Sequence, residues 1–164
     1  MIVVPAQAGT QGDDEYASLD SRMRGNDERK KKGDGTMPIE MTELHATFLA
    51  QSFEDEVPPL VGTVSADGDP QISPKGTLAV YDPETLCFWE RSYRTSYAAI
   101  VDNPRILVYC RNHKRAKELP FRNGVLRFRG VARIATDAAV RARVWNLSPA
   151  AEQARDPSAR ASRS

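Results

Sequence analysis

No apolar run in these 164 residues approaches the roughly 20 needed to cross a bilayer, and no cationic N-terminal region leads into an apolar one. The chain therefore reads as cytoplasmic, with no membrane partner. Cysteine is scarce, and Cys87 and Cys110 lie in apolar stretches without CxxC or Cys/His spacing, which argues against a zinc site and a disulfide scaffold. Both read as reduced core residues, and no metal is expected. Histidine is equally rare: His45 and His113 have no nucleophile or carboxylate partner nearby in sequence, so no catalytic dyad is apparent. An excess of one charge is also missing, since 23 Lys and Arg stand against 22 Asp and Glu. A net charge of +1 supplies no global field toward nucleic acid or a membrane, so any anion site has to be local.

What is present fills one domain with a non-uniform layout. Residues 1–36 are rich in Gly, Asp, Arg and Lys and show neither helical nor strand periodicity, so they read as a disordered extension. The run VPAQAGTQ followed by LDSRMRGNDERKKK resembles the translation of a dispersed bacterial genomic repeat, which would make Met37 or Met41 the functional start. From Ile39 the pattern changes: Met41, Leu44, His45, Phe48 and Leu49 recur at helical spacing, predicting a helix to about Phe53 that ends before Pro58 and Pro59. Asp67 and Gly68 supply a hairpin turn, so strand 60–65 folds onto strand 70–74. Gly76 interrupts the ladder, and strands 77–81 and 85–90 follow around the Asp82-Pro83-Glu84 turn.

Tyr97, Ile100 and Val101 predict a short helix stopped by Asn103-Pro104, with Asn103 suited to a left-handed exit. Strand 106–110 comes next. After a basic linker, Asn123-Gly124 marks a turn into Val125–Ile134, where apolar residues alternate with Arg127, Arg129 and Arg133. Thr136 or Asp137 caps a last helix carrying Val140, Val144 and Trp145, and residues 147–164 read as an unstructured or truncated tail. Hairpin-linked strands with short helices beside them describe an α+β fold built on an antiparallel β-barrel or sandwich.

The chemistry collects where strand 85–90 hands over to a helix N-terminus. Arg91, Ser92, Arg94, Thr95 and Ser96 gather hydroxyls and guanidiniums at unpaired backbone N–H groups and the positive end of a helix dipole, a setting suited to a phosphate monoester. Ser92 or Thr95 equally reads as a plain N-cap with solvated arginines. Lys75, between Pro74 and Gly76, sits where a backbone irregularity would turn its side chain out of the sheet, toward a ligand or toward solvent. Trp89 and Glu90 close the strand before the cluster, with Trp89 also readable as core. The basic stretch 111–117 and the arginine face lack interleaved aromatics, and a pI of about 7.8 is low for a nucleic-acid binder, so nucleic acid is not expected as a partner.

The order TVSADGDPQISPKGTLAVYDPETLCFWE, short helix, DNPRILVYCRN, GVLRFRGVARI resembles the pyridoxamine 5′-phosphate oxidase-like superfamily, the FMN-binding split β-barrels, from about Met41 to Trp145. The resemblance implies a split barrel of about six strands over residues 37–146, and a homodimer with FMN at the interface, ahead of deazaflavin or haem. It places Ile72, Ser73, Lys75 and Thr77 beside the flavin and Trp89, Glu90, Arg94, Thr95 and Ser96 around the phosphate. It implies redox use on an unknown small-molecule substrate, or a non-catalytic flavin- or haem-binding or sensing domain, and assigns no catalytic residue. Thr95-Ser96 stands where oxidases of the superfamily tend to carry an Arg-Lys pair, and SARASRS stands where relatives continue into an apolar strand.

Overall fold

The structure is a computed structural model describing residues 2–7, 40–91, 95–117 and 122–154. Helix α1 (Glu43–Glu54) begins at Thr42, whose backbone N–H donates to His45 Nδ1 at 3.1 Å and whose hydroxyl lies 3.0 Å from the same nitrogen. His45 thus stands in the place that Glu or Gln takes in a capping box. Burial pushes the His45 pKa down, which keeps the ring in the neutral form that accepts this bond. At the other end Val57 N donates to Ser52 O, and Glu56 takes the left-handed conformation, φ 62°. Helix α1 buries Phe48, Leu49 and Ser52.

Strands β2 (Leu60–Val64) and β3 (Pro70–Pro74) form the expected hairpin, with Gly68 at φ 88° in its turn. Strands β4 (Ala79–Asp82) and β5 (Thr85–Phe88) pair around a turn in which Glu84 N donates to Asp82 Oδ1. Helix α2 (Thr95–Asp102) follows, then β6 (Arg105–Arg111), β7 (Val125–Val131) and β8 (Arg133–Ile134). Helix α3 (Ala138–Leu147) starts at Asp137, whose Oδ1 accepts from Val140 N, and a single helical turn, α4 (Ala150–Ala154), completes the described residues.

All pairings are antiparallel. Numbering the N-terminal strand Ile2–Gln7 as β1, the order is β3-β2-β6-β7-β1-β5-β4, with β8 also against β1. The outermost strands β3 and β4 are one corner apart in the chain, residues 75–78, yet no ladder joins them among the described residues. The fold is α+β, with all six expected strands present in an open order. The other two arise because Val125–Ile134 breaks at Ala132, whose N–H leaves the ladder to donate to Pro104 O at 2.7 Å, and because β1 exists.

Strand β1 corrects the reading of 1–36 as wholly without packed structure. It pairs Ile2–Pro5 with β5 and Ala6–Gln7 with β7, bridging two groups of strands that have no ladder with each other. Its β-branched Ile2-Val3-Val4 has strand propensity, but the run is too short to show a period. The rest of that segment lies outside the described residues. Helix α4 likewise corrects part of the tail, since Glu152 is buried. Two smaller differences concern α2: it buries Ser96, Ala99 and Ile100 while Val101 is 58% exposed, and Asn103 is not left-handed but accepts from Arg105 N through its side chain.

The core lies between α1 and the inner face of the sheet, where Phe48, Leu49, Val61, Leu86, Phe88, Val108, Leu126 and Phe128 cluster. Each such side chain contributes about 1.5–3 kcal/mol when buried. A second cluster, Cys87 and Val144 with Tyr81, Trp89 and Val140, lies between β4–β5 and α3. Strand β5 is therefore buried on both faces, which explains its unbroken apolar run. Part of the basic linker is spent locally: Arg115 Nε and Asn112 Nδ2 donate to Asp55 Oδ2 at 2.6 and 2.7 Å, and Lys114 Nζ donates to Asp55 O at the C-terminus of α1. Among the described residues no helix is long and apolar enough to cross a membrane.

Candidate functional site

The site is built at the corner between β3 and β4, where the chain turns back over the end of β5. Inward residues of β3 alternate with exposed ones, so Gln71 and Ser73 face the same side as Val61 and Thr63 of β2. Helix α2 packs on these two strands. Its first turn brings Ser96 Oγ to 2.9 Å from Ser73 Oγ, joining two hydroxyls that are 23 residues apart. Ser96 is buried and Thr95 exposed. Among the described residues Thr63 Oγ1 and Gln71 Oε1, on this polar stripe, are buried without a hydrogen-bond partner. Buried polar atoms are rarely left so, and a ligand or water would satisfy them.

Past Pro74 the backbone turns, with Lys75 N donating to Pro59 O and Leu78 N to Lys75 O. The Lys75 side chain is buried at this corner, which corrects the reading of it as a solvent-facing turn lysine. Its ammonium lies 2.5 Å from Glu90 Oε2 and 5.5 Å from the Phe88 ring centre, and both partners of the ion pair are under 10% exposed. Thr77 closes the corner: Trp89 N donates to its Oγ1 at 2.9 Å, and the hydroxyl donates back to Trp89 O at 3.1 Å. Gly76 is required by close approach, because a Cβ there would lie 2.9 Å from Phe53 Cε2 and 3.2 Å from Glu152 Oε1.

Trp89 meets Trp145 edge to face, ring centres 5.0 Å apart, and the Arg141 guanidinium stands 5.1 Å from its ring centre. Arg91 Nη2 donates to the Glu152 backbone oxygen at 2.8 Å and also pairs with the Glu152 carboxylate. The structure thus joins Ser73 to Ser96, Lys75 to Glu90 and Thr77 to Trp89. Ile72 is 74% exposed on the opposite face of β3. Arg94, with Ser92 and Tyr93, lies outside the described residues.

Sequence reasoning missed Glu152 and the Thr63–Gln71 pair. Ser148-Pro149 was an available signal for the turn that carries Glu152, since Pro is favoured at the start of a helix. The cysteines offer no nucleophile: burial pushes the Cys87 thiol up to about 12 and the Cys110 thiol up to about 11.

In chemical terms the corner offers clustered hydroxyls at a helix N-terminus and two cations, each already holding a carboxylate. The hydroxyls and the helix N-terminus are groups suited to a phosphate monoester.

No match was found among curated proteins. Two solved structures are similar. HupZ of Group A Streptococcus aligns over 70% of this chain and 79% of its own, with 23% identity and a TM-score of 0.51, a likeness of fold. A candidate pyridoxamine 5′-phosphate oxidase of Lactobacillus delbrueckii aligns over 57% of this chain and 91% of its own, with 18% identity and a TM-score of 0.36. The sequence model of the pyridoxamine 5′-phosphate oxidase family matches residues 42–163, which takes in every strand and helix described after β1, and the chain belongs to that family.

Proposed function

We propose that the protein binds FMN in a groove between β3 and the first turn of α2 and uses it for oxidation or reduction of a small molecule. The observation that carries this reading is the Ser73–Ser96 contact, which gathers hydroxyls from a strand and a helix N-terminus at one point. Family membership and the unsatisfied Thr63 and Gln71 oxygens beside it support the same place. Ser73, Thr95, Ser96, Arg94 and, if released, Arg91 would hold the phosphate. Lys75, Thr77, Trp89 and Glu90 would shape the flavin side, the first and last as a neutralised pair. FMN, when bound, supplies hydride and electron transfer, and this chain's residues bind and orient it.

A second copy of the chain would pack against the same strands, on the face opposite Ser73. Ile72 and Leu107 flank Gly62 across the outer face of β3-β2-β6, and their exposures of 74% and 40% support a covered apolar face. Sedimentation equilibrium giving only a monomer would remove this part of the proposal. The free thiols Cys87 and Cys110 support a cytoplasmic setting.

Titration of the purified chain with FMN tests the reading: saturable quenching of flavin fluorescence is expected, and undiminished fluorescence at micromolar protein would sink it. A non-catalytic binder is the second reading, favoured by the neutral Thr95-Ser96 pair and by the engagement of Lys75 and Arg91 with carboxylates. Stopped-flow mixing of the flavin-loaded protein with NADPH separates the two, because a binder would hold flavin without its reduction.

A further inference from the structure

We infer that Glu152 is a latch on the phosphate site: its carboxylate holds Arg91 while the site is empty and yields it to an incoming phosphate monoester, which frees helix α4. The inference rests on the flavin-phosphate reading above and adds a regulatory residue to it. Arg91 is the described cation nearest in sequence to the start of α2, and Glu152 grips it twice, through the backbone oxygen and the carboxylate. The Arg91 side chain is 39% exposed whereas that of Glu152 is 7% exposed, so the guanidinium lies open to solvent above a buried anion.

Charge favours the exchange. Among the described residues around Gly76, Lys75 pairs with Glu90 and Arg91 with Glu152. With both cations already paired, neither lends a phosphate dianion a net positive charge until its carboxylate leaves. Arg91 is the cation that can be released, because Lys75 is buried with its partner between strand ends while Glu152 sits on a five-residue helix. So short a helix has little stability of its own. It is held by Glu152 N and Gln153 N donating to Pro149 O, by the Gln153 amide donating to Trp145 O and Ser148 O, and by the Arg91 pair. A phosphate offers the guanidinium the same two-pronged geometry that the carboxylate does, with more charge. Ligand occupancy and latch closure then exclude one another, and each weakens the other by the same factor.

The experiment titrates FMN and riboflavin, which lacks the phosphate, into the full-length wild type, Glu152→Gln, Arg91→Gln and the double variant. Glu152→Gln should tighten FMN about tenfold and leave riboflavin unchanged, with the gain absent when Arg91 is also Gln, as a coupling of ordinary size would give. On the wild type, hydrogen exchange of the backbone amides in 150–154 should speed up on saturation with FMN and not with riboflavin. This arm decides the matter if the Glu152 variant fails to fold. Wild-type FMN binding that Glu152→Gln leaves unchanged or weakens, or α4 amides that slow or stay constant with FMN, would overturn the latch alone. Absence of FMN binding in every chain would overturn the latch and the flavin reading together.

Discussion

The Lys75–Glu90 pair allows a quantitative test of whether this lysine serves the fold or a ligand. The charges lie 2.5 Å apart with both side chains under 10% exposed, so the pair is desolvated and not a surface contact. Removing one partner of a buried pair costs about 3–5 kcal/mol, because the other charge loses its counter-ion inside the protein, whereas replacing both by apolar groups of similar volume is often neutral. Lys75→Met keeps an apolar chain of similar length near Phe88, and Glu90→Leu fills the carboxylate's volume. Each single change should lower stability by about 3 kcal/mol and the double variant by much less than their sum, a coupling of at least about 2 kcal/mol. Urea denaturation at constant slope measures this, with circular dichroism as the probe. Costs that simply add, with coupling under about 0.5 kcal/mol, would refute the pairing and return Lys75 to the set of groups free to meet a cofactor.

Three other changes probe the frame that positions the site. Gly124 has φ 63° and a Cβ there would lie 2.4 Å from the Asn112 carbonyl oxygen, whereas Gly68 at φ 88° has open space. Gly124→Ala should therefore cost about 3 kcal/mol against about 1 for Gly68→Ala, and equal melting temperatures for the two variants would show that the clash is relieved for free. The Arg115 and Asn112 hydrogen bonds hold the Asp55 carboxyl below the ordinary carboxylate range. Its contribution is therefore complete above the unfolded value of about 4 and is lost as pH falls through the lower folded value, and Asp55→Asn should flatten stability against pH below about 4. An unchanged acid limb would dismiss the clamp. Deleting residues 1–8 should open the edges of β5 and β7 and speed amide exchange at 85–88 and 129–130, while unaltered protection there would mean that β1 does not bridge the sheet.

What could be read from the sequence was what short-range chemistry decides. Asp67-Gly68 and Asn123-Gly124 announce their turns because few residues take positive φ, and Gly68, Asn123 and Gly124 all do. The alternation of Leu86 and Phe88 with Cys87 and Trp89 marks a strand, and two separate clusters on its two faces explain why both sets are apolar. Asp137 caps α3 as its type suggests. What could not be read is partner choice across the fold. Strand β1 has only the short β-branched run Ile2-Val3-Val4 as a local signal, and nothing in it names the strands it will pair with. Glu152 lies in a stretch with no apolar period, and its burial depends on Gly76 leaving room 76 residues earlier.

The same limit governs the anion site. Arg91 and Lys75 stand in sequence as cations beside hydroxyls, and by type alone either suits a phosphate. Whether a charge is available, though, is set by what the folded chain has already placed against it, and both meet a carboxylate, one 15 and one 61 residues away. The hydroxyls differ in kind: Ser73 and Ser96 meet each other, and a hydroxyl pair can turn its donors toward a ligand without leaving a charge behind. On the proposed reading, such a site would meet phosphate first through neutral groups and gain the charge of Arg91 when Glu152 lets go. Flavin binding here should therefore depend on salt less steeply than in a site lined with unpaired arginines.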